Sequence, residues 1–265
     1  MSIFGARKIV QILMFSLLLL PVVWPLNPVW IGTYLSSNVA GIALADPLAA
    51  VEVTLAGRHF GEPLFWSVIP LLMVTFVLGR VFCSWICPLN TALELAAMLK
   101  TPKVTDTRNG WLPYLILGVF LMAAVAASLP LFTILSPIGI LSRAITVGAG
   151  MEFFLVITIV TLEWLYDRKA WCRKFCPAGA LYGLLGKWRQ LTVGIDPARC
   201  KNCHRCRHAC TMRVNIGNCT ALDHLTCTNC GDCVHACTEQ AVYYTWRNKK
   251  KGGTVPHESN DGVAR

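Results

Sequence analysis

The sequence predicts a membrane protein of four transmembrane α-helices in two repeated hairpins, followed by a small C-terminal α+β domain. Three observations carry that expectation. The 265-residue chain is 55% hydrophobic and only 14% charged, with a mean hydropathy of +0.53, too apolar for an ordinary water-soluble domain. Four apolar stretches approach the ~20 residues needed to cross a bilayer core. A short pattern ending in Cys-Pro occurs twice, at a constant offset of 89 residues.

The apolar stretches run over 9–24, 64–78, 111–131 and 152–166. The second and fourth are short, but each continues towards a cysteine pair and could gain a turn or two. All but Arg58 and Arg143 of the 24 Lys and Arg fall on one side of these stretches. The positive-inside rule then places both termini and the C-terminal domain in the cytoplasm of a bacterial inner membrane, with several passes through it. The formal charge of +10 is explained by that orientation and by anionic lipid, so nucleic acid is not needed as a partner. Within the first 45 residues a basic start, an apolar run and Ala43-Leu44-Ala45 imitate a signal peptide. The small residues lie too far beyond the apolar core for cleavage, and retention is expected.

Asp46-Pro47 reads as a helix start, with Asp as N-cap and Pro in the first turn. With Asp46 and Glu52 in it, that segment is expected to lie along the periplasmic surface, as is 132–148 with Arg143. Glu152 and Glu163 stand near opposite ends of the fourth stretch, where acidic residues are costly. The resulting domains are 1–190, 191–246 and a polar, Lys- and Gly-containing tail over 247–265 that is expected to be disordered.

Thirteen cysteines could suggest a secreted disulfide scaffold, but such scaffolds are short chains without spanning helices. Eight of them form two runs, Cys200, Cys203, Cys206, Cys210 and Cys227, Cys230, Cys233, Cys237. Each run has the spacing of bacterial two-cluster ferredoxins, in which three thiolates from a tight loop and one from the other run hold each cubane. Cys200, Cys203, Cys206 and Cys237 would hold one [4Fe-4S] cluster, and Cys227, Cys230, Cys233 and Cys210 the second. The C-terminal domain is thus read as an α+β two-[4Fe-4S] ferredoxin. A zinc site is the competing reading, but it would use only four of the eight thiolates. Thr211 and Thr238 replace the proline that usually follows the fourth cysteine, which leaves the turn after each run open. Around the first run Arg199, Lys201, Arg205, Arg207 and Arg213 stand without an acid, whereas 223–239 carries Asp223, Asp232 and Glu239 without Lys or Arg. The first cluster is therefore expected to have the higher potential. Cys219 is read as a plain buried thiol, and His204, His208, His224 and His235 as surface side chains.

The remaining four cysteines form the repeated pairs Cys83, Cys87 and Cys172, Cys176, each followed by proline and a helix-like stretch. Residues four apart on a helix share a face. The pairs are a candidate additional redox or metal site; packing, lipidation or partner docking are the alternatives. If the two pairs converge, four thiolates suit a further iron-sulfur cluster or another thiophilic metal.

Phe82-Cys83-Ser84-Trp85-Ile86-Cys87-Pro88-Leu89-Asn90, Cys176-Pro177-Ala178-Gly179-Ala180-Leu181-Tyr182-Gly183, Ala45-Asp46-Pro47-Leu48 and the double cysteine run together resemble the NapH family. These are the ferredoxin-type membrane subunits of periplasmic nitrate reductase systems, and the likeness runs over about 9–246. It implies an electron-transfer subunit of a quinol dehydrogenase, with quinol as substrate and a NapG-type iron-sulfur protein as partner. A NapC-type tetrahaem cytochrome is a further candidate partner, and the nitrate reductase NapAB is the implied destination. Related ferredoxins of methylamine oxidation and nitrous-oxide respiration, a redox-sensing or maturation factor, and a tethered ferredoxin without quinol chemistry stay open. No catalytic residue, quinol pocket or proton acceptor is assigned.

Overall fold

The apolar stretches do form helices, but the helices end too soon. The computed structural model describes residues 3–23, 30–32, 36–39, 41–58, 61–99, 110–146, 148, 150–214 and 225–247. In chain order it contains α1 (Ile3–Val23), β1 (Trp30–Gly32), β2 (Ser36–Val39), β3 (Ile42–Ala45), α2 (Pro47–Gly57), α3 (Glu62–Leu78), α4 (Pro88–Leu99), α5 (Leu112–Ala127), α6 (Leu131–Leu135), α7 (Pro137–Thr146), α8 (Phe153–Leu165) and α9 (Pro177–Leu185). The C-terminal part adds β4 (Leu191–Ile195), α10 (Arg205–Ala209), α11 (Asp232–His235) and β5 (Val242–Trp246).

Helices α3, α5 and α8 have 17, 16 and 13 residues. At 1.5 Å per residue they reach only about 20–26 Å, short of a hydrocarbon core of about 30 Å. Among the described residues no helix is long and apolar enough to cross a membrane. The four transmembrane helices are thereby overturned, and with them the multi-pass placement in a bacterial inner membrane with cytoplasmic termini. The reasons are local. Helix α3 stops at Gly79, whose φ of +78° only glycine adopts freely, and a Cβ there would meet Arg189 Cδ at 2.6 Å. Helix α5 stops at Ser128 in the left-handed conformation. Near the end of α8 the buried Glu163 carboxylate turns to the next segment, accepting from the N–H groups of Lys169 (3.0 Å) and Trp171 (2.7 Å). Helix α1 is longer, but its first half carries Arg7, Lys8 and Gln11, all tied inward to Glu94. Large apolar side chains such as Trp66, Met122 and Phe154 remain exposed, an outward surface of the kind that interaction partners cover.

The repeat is structural as well as sequential. Phe82–Ile86 and Trp171–Phe175 both form π-helical turns. Each is closed by a five-residue bond, from Cys87 N–H to the Phe82 carbonyl and from Cys176 N–H to the Trp171 carbonyl, both 2.9 Å. The following proline has no N–H to continue the ladder and opens α4 or α9 at its first position. The two halves then interleave, α4 packing on α8 and α9 on α5 and α3.

Asp46 caps α2, accepting from Leu48 N–H (3.0 Å) and Ala49 N–H (3.1 Å). The helix start is as expected. Residues 46–50 and Glu52 are buried and Glu52 accepts from the N–H groups of Phe132 and Thr133, so one face of α2 is tied to α6, while Val51, Val53 and Leu55 on its other face are exposed. Arg143 pairs with Glu152 at 2.9 Å. Ala43-Leu44-Ala45 forms part of β3 in an antiparallel β1-β2-β3 meander. Strands β4 and β5 pair antiparallel with Val193 opposite Tyr244. Residues 248–265, most of the tail expected to be disordered, lie outside the described residues, as do Cys219 and His224.

Candidate iron-sulfur centres

The two C-terminal cysteine runs fold alike because their backbones turn at the same places. Asn202 and Asn229, two residues after the first cysteine of each run, have φ of 49° and 51°. His204 and Gly231 follow at 56° and 83°, and Arg213 and Gln240 at 54° and 52°. Left-handed residues at matched positions curl each loop inward. The turn left open by Thr211 and Thr238 is the same in both runs, with Arg213 N–H bonding the Cys210 carbonyl (3.2 Å) and Gln240 N–H the Cys237 carbonyl (3.3 Å).

Thiols of the two runs lie close enough to influence one another. Cys206 lies in the field of Cys200 and Cys237, and Cys210 in that of Cys227. Cys233 feels Cys230, Cys227, Cys210 and Cys206. A small pocket of about 30 Å³ is lined by Cys210, Cys227, Cys230 and Cys233 together with Met212 and Val214. Among the described residues no three His, Cys, Asp or Glu side chains are placed to hold one metal ion. A cubane takes one thiolate on each of four irons, so its ligands stand further apart than those of a single zinc. The thiol-lined wall, with Met212 and Val214 beside it, suits a cubane. Burial raises the thiol of Cys230 to about 12, helped by Asp232, and raises Cys233 too. Such thiols ionise when a cationic group binds them. His204, His208 and His235 are exposed.

The repeated pairs share one core, with Cys83 and Cys172 packed against it, but among the described residues no three of these thiols are placed to hold one metal ion. Cys83 acts on Cys87 and Cys176, and Cys176 and Cys87 act on Cys172. Cys87 and Cys176 are buried in the main core beside Leu89, Ala178 and Tyr182. Burial, then the neighbouring Cys83, lifts Cys176 to about 11, against the pull of the Gly179 N–H that its Sγ accepts at 3.4 Å. Cys87 and Cys172 are raised for the same first reason. Tyr182 stacks on Phe82 (5.3 Å between rings) and donates its hydroxyl to Asp46 at 2.5 Å.

Two buried cations that the sequence reading passed over attend the pairs. Arg80 and Lys169 sit three residues before Cys83 and Cys172, at the repeat offset, and are 5% and 3% exposed. Burial opposes the Arg80 charge, but Cys83, Cys176 and Cys172 outweigh it, and its Nη2 donates to the Cys172 carbonyl at 3.2 Å. Lys169 favours the thiolates of both Cys172 and Cys230. A basic residue three places ahead of each Cys-x3-Cys-Pro was the available signal.

The charge of Lys169 thus acts on both cysteine systems, and other contacts bind them into one seam. Ser84, inside the first pair, donates to the Thr228 carbonyl inside the second run at 2.7 Å. Trp85 donates to the Asn229 carbonyl (3.3 Å), Arg189 to the Cys227 carbonyl (2.9 Å) and Arg7 to the Cys230 carbonyl (3.0 Å). Cys172 packs against Cys210, Met212 and Val214.

A family model described as a 4Fe-4S binding domain matches residues 60–103 and 149–196. Those segments contain the two repeated pairs and stop before Cys200. The ferredoxin-type protein NapH of Haemophilus influenzae is 33% identical over 195 residues, 70% of this chain and 68% of the relative. The methylamine utilization ferredoxin-type protein MauN of Paracoccus denitrificans is 32% identical over 196 residues, 70% of this chain and 69% of the relative. NapH of Escherichia coli is 30% identical over 192 residues, covering 69% and 66%. No solved structure matches. With paired and double-run cysteines on one scaffold and relatives alike over most of their length, the chain belongs to the ferredoxin-type electron-transfer proteins NapH and MauN, which carry a 4Fe-4S binding domain.

Proposed function

We propose that the chain oxidises quinol together with a NapG-type iron-sulfur partner and supports electron delivery to a periplasmic nitrate reductase, with a NapC-type tetrahaem cytochrome as a further partner. The seam between the cysteine systems carries the reading. Ser84 reaches the Thr228 carbonyl at 2.7 Å and the Lys169 charge favours the thiolates of Cys172 and Cys230, which suits a chain that passes electrons between two carriers. Cys200, Cys203, Cys206 and Cys237 would hold one [4Fe-4S] group, Cys227, Cys230, Cys233 and Cys210 another, and the repeated pairs an additional centre. Bound there, such groups take up and release single electrons at potentials set by charge, hydrogen bonds and exposure. The chain's own residues supply the thiolates, the compensating cations and an apolar enclosure that excludes water.

The test is anaerobic. The purified chain is expected to hold about eight irons on the double run, and about twelve if the pairs bind a cubane. A water-soluble quinol analogue should then reduce them. Zinc with little iron overturns the cluster assignment; reduction by a soluble donor but not by quinol overturns the donor and favours the tethered-ferredoxin reading. The MauN relatives, equally similar in identity and coverage, favour methylamine utilisation as a second reading. Growth of an inactivated strain on nitrate or on methylamine separates the two.

A further inference from the structure

The two predicted cluster loops differ in what surrounds them. The loop of Cys227, Cys230 and Cys233 is held against the helical body, whereas Cys203 on the other loop is exposed. Around it Arg199, Lys201, Arg205 and Arg207 are all exposed, with His204 and His208. Two of the charges are answered locally, Arg199 by Asp196 (3.5 Å) and Lys201 by Glu239 (2.9 Å). Among the described residues no carboxylate pairs with Arg205 or Arg207. These two flank Cys206 in sequence, and α10 carries both. The loop held against the body, by contrast, has its Asp232 neutralised by Arg7 at 2.9 Å.

An unanswered positive face beside the most exposed cluster cysteine has a chemical complement. We propose that the surface of α10 and the Cys200–Cys206 loop, centred on Arg205 and Arg207, is the docking face for a redox protein that presents a carboxylate-rich surface. Opposite charges speed encounter and fix orientation, and their effect falls with salt. Docking here brings the partner within reach of the exposed Cys203 edge, while the other loop stays shielded by α1 and the repeated pairs. The inference rests on cysteine ligation and surface charge, and is independent of quinol and of the partner's family.

Two measurements on the intact, iron-loaded chain test it. In the first, poly-L-glutamate is titrated calorimetrically into the parent, the Arg205→Glu/Arg207→Glu variant and a Lys187→Glu control on the exposed turn before β4. The double variant should bind at least about threefold more weakly at low salt, the control much less so. In the second, the dithionite-reduced chain is mixed with ferricyanide or hexaammineruthenium(III), each of which takes one electron and is itself reduced by one. The double variant should react more slowly with the anion and faster with the cation, and added salt should erase both changes. The proposal is overturned if the double variant affects polyglutamate binding no more than the control. Equal slowing of both oxidants with cluster spectra retained overturns it also. Loss of clusters in the double variant leaves the polyglutamate arm, which does not need them, to decide alone.

Discussion

Arg80 shows how much a single buried cation can govern. Its guanidinium lies 5% exposed among Cys83, Cys172 and Cys176, where an unpaired charge is costly. Reduction of a group held by these thiolates adds negative charge, which the cation offsets. Arg80→Gln should therefore lower the midpoint potential of the signal belonging to the repeated pairs, whereas Arg80→Lys should move it less. Electron paramagnetic resonance during a redox titration reads both, and unchanged potentials would remove Arg80 from this role. Gly179 is the companion test. A Cβ there would strike Arg80 Nη2, so Gly179→Ala should cost about 1–3 kcal/mol by overpacking, measured by denaturant unfolding. At this scale the cysteines were legible because thiol spacing is a chemical pattern. Arg80 and Lys169 obey the same 89-residue offset, a weaker signal than thiol spacing, and burial shows what they do.

Among the elements, α1, α4 and the segment before the second π turn are joined at one carboxylate. Glu94 on α4 is 8% exposed and meets Lys8 at 2.5 Å, Lys169 at 3.4 Å and Arg7 at 3.6 Å. Burial pushes its carboxyl upward, but Lys169, Arg7 and Lys8 prevail and hold it at about 2, against an ordinary 4.5. A depressed carboxyl stabilises the fold fully above its unfolded value and loses that contribution as pH falls. Stability should accordingly decline from about pH 4.5 towards about pH 2, followed by near-ultraviolet circular dichroism. Glu94→Gln should flatten that slope and cost about 3–5 kcal/mol at neutral pH, because buried cations lose their counter-charge. An unaltered acid transition in the variant would show that other carboxylates control it. The positions of the long helices were readable from hydropathy, yet their role as spans was not. Hydropathy does not register that Gly79, at a φ of +78°, and Ser128, in the left-handed conformation, each end a helix. The β1-β2-β3 meander escaped for the converse reason, since its strands of three or four residues are too short to show alternation.

At the scale of the molecule, the helical body and the C-terminal domain meet through backbone. Asn229 donates to the carbonyls of Leu78 (2.6 Å) and Leu191 (3.1 Å), while its own carbonyl accepts from Tyr244 (3.0 Å) and Trp85. Asn229→Ala leaves two buried carbonyls unanswered and removes a residue suited to its left-handed φ, so a loss of about 2–4 kcal/mol is expected. Gly183→Ala should loosen the same seam, because a Cβ would stand 2.7 Å from the Leu225 carbonyl, a backbone atom that cannot swing aside. Hydrogen exchange of β4 and β5 should quicken in both variants; protection equal to the parent would mean that the domain holds itself. Contact between the two parts could not be foretold from either motif, since nothing in the spacing of one run refers to the other. The salt link from Arg7 to Asp232 and the bond from Arg7 to the Cys230 carbonyl, 223 residues away in sequence, also impose an order of events during synthesis. Helix α1 is made long before the last cysteine loop, so its bonds to that loop can close only once Asp232 has been made.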